Sequence, residues 1–209
     1  ILPAHFTMNG VAINMRIIMI EQLSTIFSYE FMRNALIASF WISLATGIIG
    51  TLVVLNRIVS LSGGIAHAAY GGVGISYFLG QDPMIGALLF STASALIMGV
   101  AKRKSKSGAD TLIGVMWSIG MAIGIIFISL TPGYKANLMS YLFGSILAVS
   151  GTDLRLMALI AFLVLGFVFF TYRSLLAISY DKTFSTVRNI PVNLLYLTML
   201  VLIGLTVVV

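Results

Sequence analysis

The sequence contains no cysteine, which excludes disulfides, thiolate metal sites and cysteine nucleophiles. It is also short of charge: 9% of its 209 residues are Asp, Glu, Lys or Arg, against about 25% in a soluble domain. So few charges cannot cover a water-facing surface, and lipid must be the solvent for most of the chain. No glycine-rich phosphate loop of the Walker type is present, so ATP hydrolysis by that route is excluded and energy must come from a partner or an ion gradient. The acidic residues Glu21, Glu30, Asp82, Asp110, Asp153 and Asp181 fall at the ends of apolar runs or in loops. They compose no catalytic constellation.

What is there is apolar: 59% hydrophobic residues and a mean hydropathy of +1.08. A helix needs roughly 20 apolar residues to cross the hydrocarbon core. Six runs fit or approach that length: Ala35 to Asn56, Gly63 to Leu79, Met84 to Ala101, Thr111 to Leu130, Leu154 to Tyr172 and Val192 to Val209. A seventh, Leu138 to Val149, is too short to span comfortably. The chain is therefore predicted to be all-α, a polytopic transmembrane bundle.

The net charge of +6 does not mark a nucleic-acid binder, because the cations sit between apolar runs and form no binding face. Such loops meet the acidic headgroups of the cytoplasmic leaflet. Lys102, Arg103, Lys104 and Lys106 make the loop after the third run cytoplasmic, and Arg173, Lys182 and Arg188 do the same after the fifth. The two runs between these loops account for the required even number of crossings, so Leu138 to Val149 is predicted to lie on or dip into the outer face. Arg57 is then inside and the N-terminus outside, which puts eight of the twelve basic residues in three cytoplasmic loops.

Residues 1–33 are read as an extracytoplasmic segment and 34–209 as the membrane domain. Ile1 to Ile18 has no signal-peptide pattern; it is either native or upstream of a start at Met19, and His5 is read as incidental. The sequence stops inside the apolar run at Val207 to Val209, so a fragment, or further spans, are expected.

The second run carries two signals. Gly64, Ala68 and Gly72 recur every four positions, a stripe that lets a neighbouring backbone approach closely. His67 is an ionisable group within a span, a functional-site hypothesis by default, and neutral imidazole is the commonest protein ligand for transition metals. The alternative is a histidine hydrogen-bonded to a neighbouring helix. The segment from Tyr180 to Pro191 is amphipathic and cytoplasmic. It is either a short helix that docks a soluble partner or a solvated connector.

Four stretches resemble, in order, the permeases of zinc, manganese and iron ABC importers, the ABC-3 family. Arg57 through Ala68 resembles the family pattern of an arginine followed by Gly-Asp-x-x-x-His-Ala. Ala109-Asp110-Thr111-Leu112-Ile113-Gly114 resembles its Asp-Thr-Leu-x-Gly segment, and Leu138 to Val149 its Leu-x-x-Tyr-Leu-Phe-Gly segment. Asp181 through Pro191 resembles the element that meets the ATPase. The resemblance runs from about Asn34 to the end of the sequence.

It implies a fold like the vitamin B12 and siderophore permeases, with about eight spans in the full domain. It also implies a paired permease, two cytosolic ATPase subunits and an extracytoplasmic metal-binding protein that docks near Pro132 to Asn137. The setting would be a bacterial or archaeal plasma membrane. The cargo would be a divalent metal, Zn, Mn or Fe, with no cofactor bound by the chain. His67 would be the metal ligand, with Gly63, Gly64, Ala68, Gly72 and Ser118 lining the path or packing it. Asp181, Phe184, Val187, Arg188 and Pro191 would form the ATPase-coupling helix, and transport would proceed by alternating access.

Two departures stand out. The family aspartate falls on Gly63, which removes half of an i, i+4 metal pair. Zinc-type members can carry a histidine where this chain has Ser118. Three rivals remain: a cobalamin or iron-siderophore permease, an intramembrane hydrolase using His67 with Ser118, and a gated channel.

Overall fold

The computed structural model describes residues 27–104, 109–132 and 149–209. Its helices are α1 (Glu30–Leu55), α2 (Val59–Phe78), α3 (Pro83–Lys104), α4 (Ala109–Leu130), α5 (Gly151–Tyr180), α6 (Lys182–Val187) and α7 (Val192–Val208). Each of the six predicted runs is a helix. The readings for His5, Glu21, residues 133–137 and the outer-face segment from Leu138 through Ala148 lie outside the described residues.

The helices outrun the apolar runs, because hydropathy reports the membrane and not the helix. α1 begins at Glu30, inside the stretch expected to precede the membrane domain, where an acidic residue in the first turn suits the positive end of the helix dipole. α5 continues to Tyr180, so Arg173 lies on a helix and not in the predicted loop. At about 1.5 Å per residue, α5 is about 45 Å long, more than the roughly 30 Å hydrocarbon core requires. Its start is set by a capping box: Asp153 N–H donates to Ser150 Oγ (3.2 Å) and Ser150 N–H to Asp153 Oδ2 (3.1 Å), which satisfies two otherwise orphaned donors.

α2 is the centre of the bundle. It packs along α3 and α4, α7 lies against α3, and α5 lies on α1. Four helices, α1, α3, α4 and α5, are long and apolar enough to cross a membrane by length and composition. α2 is not among them, because glycine, serine and histidine dilute its hydropathy. It does not need lipid-facing apolar residues, since Leu61, Ile65, Ala68 and Val73 are buried against its neighbours. The core runs from Ile58, Leu61 and Ile65 through Met98 to Leu200 and Ile203. Outward-facing aromatics such as Phe169 and Phe170, 80% and 85% exposed, suit lipid and not water.

Side-chain bonds fix which helix ends meet. Lys102 Nζ donates to the Arg57 carbonyl (3.1 Å) and Ser60 Oγ to Asp110 Oδ1 (3.2 Å). Asn56 Nδ2 donates to Ser179 Oγ (3.2 Å). The ends of α1, α3 and α5 and the starts of α2 and α4 therefore share one face of the bundle, together with α6. At the opposite face Asn34 Nδ2 donates to the Val149 carbonyl (3.2 Å). Arg57, Lys102, Lys182 and Arg188 thus collect at one end, as the charge pattern predicts.

Candidate functional site

The small residues of α2 serve two neighbours. A Cβ on Gly72 would run into the Gly86 carbonyl of α3. Gly74 lies equally close to the Gly124 backbone of α4, and Gly120 of α4 to the Ala68 backbone. Gly64 sits between Ile113 of α4 and Met98 of α3. The Gly64, Ala68, Gly72 stripe is therefore a wedge between α3 and α4, not a seam for one partner. Gly120 and Gly124, one turn apart, complete it and were the signal left unread in the sequence. Gly63 is different: a Cβ there would meet nothing within 4 Å. It faces open space and makes no close approach.

His67 follows Gly63 by one turn on this open side. Its imidazole stacks on the indole of Trp117, with centroids 4.0 Å apart and planes 4° from parallel. Stacking occupies a ring face and leaves the nitrogen lone pairs, which lie in the ring plane, to other partners. The indole is held in turn, as Trp117 Nε1–H donates to Met121 Sδ at 3.1 Å. His67 Nδ1 is buried and has no hydrogen-bond partner among the described residues. What orients the ring is Trp117, an aromatic neighbour on α4 that no sequence motif singles out.

The donor set around His67 is spare. Gly114, like Gly63, has open space where a Cβ would stand. Ser118 is exposed and its Oγ donates to the Gly114 carbonyl (3.0 Å), so it forms no nucleophile–base bond with His67. Asp110 is engaged by Ser60 at the start of α4. No group of three or more His, Cys, Asp or Glu side chains capable of holding a metal occurs among the described residues. Among the described residues this place therefore presents a single imidazole, together with hydroxyl and carbonyl oxygens.

The second group of predicted residues forms a separate unit at the basic end. Asp181 caps α6, accepting from Thr183 N–H (2.8 Å) and Phe184 N–H (3.0 Å). Ser185 turns inward, fully buried, while Phe184 and Val187 are 52% and 78% exposed. The Arg188 guanidinium lies 5.3 Å from the Phe184 ring centroid. Asn189 takes the left-handed conformation (φ 57°) that ends the helix, and Pro191 caps α7. The helix is shorter than the Tyr180 to Pro191 segment predicted, because its last residues form the turn into α7.

Helices this poor in charge, closed on one another through glycine, define a multi-pass membrane protein. The model of the ABC 3 transport family matches residues 28–209, and the chain belongs to that family. It is 53% identical over 190 residues to an uncharacterized membrane protein of Synechocystis, covering 91% of this chain and 68% of that one. It is 38% identical to a "Probable metal transport system membrane protein" of Chlamydia pneumoniae, covering 82% of this chain and 61% of the relative. It is 33% identical to a "Manganese transport system membrane protein MntC" of Listeria monocytogenes, covering 89% and 66%. Among solved structures it is similar to PsaBC from Streptococcus pneumoniae in complex with Fab, with a TM-score of 0.78 and 30% identity over 91% of this chain and 68% of that one. The chain thus spans 61 to 68% of the length of these relatives.

Proposed function

We propose that the chain is the membrane-spanning permease part of an ATP-binding cassette importer that moves divalent metal ions into the cytoplasm by alternating access. Membership of the ABC 3 transport family carries the reading. The relatives named for metal transport in Chlamydia and for manganese transport in Listeria favour a metal over cobalamin or a siderophore. The chain itself is a transport subunit, not an enzyme. Hydrolysis belongs to a partner ATPase that docks on α6 through Phe184 and Val187, with Asp181, Arg188 and Pro191 holding the helix in place. Two permease copies face each other in a bacterial or archaeal plasma membrane, the basic end inward, and a binding protein delivers metal to the opposite end. The membrane domain, expected from the sequence over 34–209, also takes in the first turn of α1 from Glu30.

In this reading the cargo is a substrate and passes between the copies along the open side of α2. His67 offers one nitrogen donor there, and Gly63, Gly114 and Ser118 leave room for the ion to keep part of its water. One imidazole binds weakly, which suits a pathway that must release what it captures. Movement of α6 on ATP binding tilts α5 and α7, between which it lies in the chain. Uptake of zinc, manganese and ferrous ion by cells with and without the gene, each measured with and without chelator, tests the assignment. Uptake of cobalamin or a ferric siderophore in place of the free ions would overturn it.

A further inference from the structure

At the basic end of the bundle one residue has a side chain ill-suited to its backbone. α1 closes in a Schellman motif, with Arg57 N–H on the Val54 carbonyl and Ile58 N–H on the Val53 carbonyl, both at 3.0 Å. Arg57 thereby sits in the left-handed region at φ 55°. The same motif closes α2 at Gly80 and α6 at Asn189, with φ 68° and 57°. Glycine and asparagine are the usual occupants, because a Cβ at this position crowds the following carbonyl. Arginine is not one of them.

The turn is held on all sides. Lys102 Nζ donates to the Arg57 carbonyl, Ile58 is 2% exposed, and Asn56 bonds Ser179, two residues before the Asp181 that caps α6. The Arg57 side chain is exposed, and its guanidinium meets no carboxylate among the described residues. The acids described at this end are engaged elsewhere, Asp110 by Ser60 and Asp181 by the first turn of α6. A rigid mount beside the α6 root therefore projects an unpaired guanidinium outward. Lipid headgroups, or the negative end of the α1 dipole, would be served as well by a lysine on relaxed backbone. A fixed fork of donors suits a carboxylate on another protein.

We infer that Arg57 is a second docking contact for the partner ATPase, its guanidinium forming a bidentate ion pair with a carboxylate of that subunit beside α6. This rests on the permease reading above. The test uses the intact permease in nanodiscs of neutral and of anionic lipid, titrated with its ATPase, alongside thermal unfolding of the permease alone. Arg57→Gly relieves the backbone and should unfold at the same or a higher temperature, yet bind the ATPase about tenfold more weakly. Arg57→Lys keeps the charge and loses the fork, and should weaken binding several-fold in both lipids. Unchanged affinity in either variant, a loss confined to anionic lipid, or a lowered unfolding temperature in Arg57→Gly would each overturn the contact. If the unaltered permease binds no ATPase, the permease reading falls with it; if it binds and the variants bind equally, only the Arg57 contact falls.

Discussion

The imidazole of His67 and the indole of Trp117 lie parallel, 4.0 Å apart, across the α2–α4 contact. The stack joins His67, the one histidine among the described residues, to a ring that is itself anchored on Met121. Such pairs are worth about 0.5–1.5 kcal/mol beyond the area they bury. Trp117→Leu should leave the bundle folded but free the imidazole, raising KM for metal uptake several-fold with a smaller change in maximal rate. Trp117→Phe should restore most of the loss, and His67→Ala should lower uptake more than either. Initial rates against metal concentration decide this, and an unchanged KM in Trp117→Leu would deny the indole its positioning role.

The glycines of α2 divide into two kinds with opposite expected behaviour. Gly74→Leu would force α4 away at the Gly124 backbone and should destabilise the bundle by at least about 1–3 kcal/mol. Gly63→Ala meets open space and should be neutral or stabilising by up to about 1 kcal/mol, the helix-propensity difference. Thermal unfolding in detergent compares them.

Much of this architecture is legible in the sequence. Charges marked the span ends, and Arg57, Lys102 and Arg188 do gather at one face, because membrane insertion itself sorts cations. Less legible was where helices end once outside lipid, as at Arg173, because no hydropathy signal marks that boundary. The rotation of α2 against α4 was also hidden. Gly63 and Gly64 are adjacent and alike in sequence, but one faces open space and the other packs between α3 and α4. Trp117 carries no sequence signal of its own, because its role depends on that rotation.

Restoring a carboxylate one turn before His67 should change the cargo balance. Gly63→Asp places an oxygen donor on the same helix face, and hard cations such as manganese gain more from it than zinc does. Calorimetric titration should show manganese affinity rising more than zinc affinity, and turnover should fall because release slows. No gain for either metal would mean that residue 63 does not face the ion, and equal gains would deny it a part in selectivity.

α6 owes its start to Asp181, which accepts from Thr183 and Phe184 N–H. Asp181→Ala should cost about 1 kcal/mol of local helix stability. Co-purification of the ATPase should drop while the unfolding temperature of the bundle stays put. A loss of bundle stability with intact ATPase binding would instead make the cap purely structural.

The most direct test of the permease reading is metal uptake into sealed proteoliposomes that hold the intact permease and its ATPase, with binding protein and metal supplied on the opposite face. The expected result is accumulation of zinc, manganese or ferrous ion that requires ATP and falls sharply in His67→Ala. Accumulation that proceeds without ATP, at the same rate in both proteins, would contradict it and leave a channel in its place.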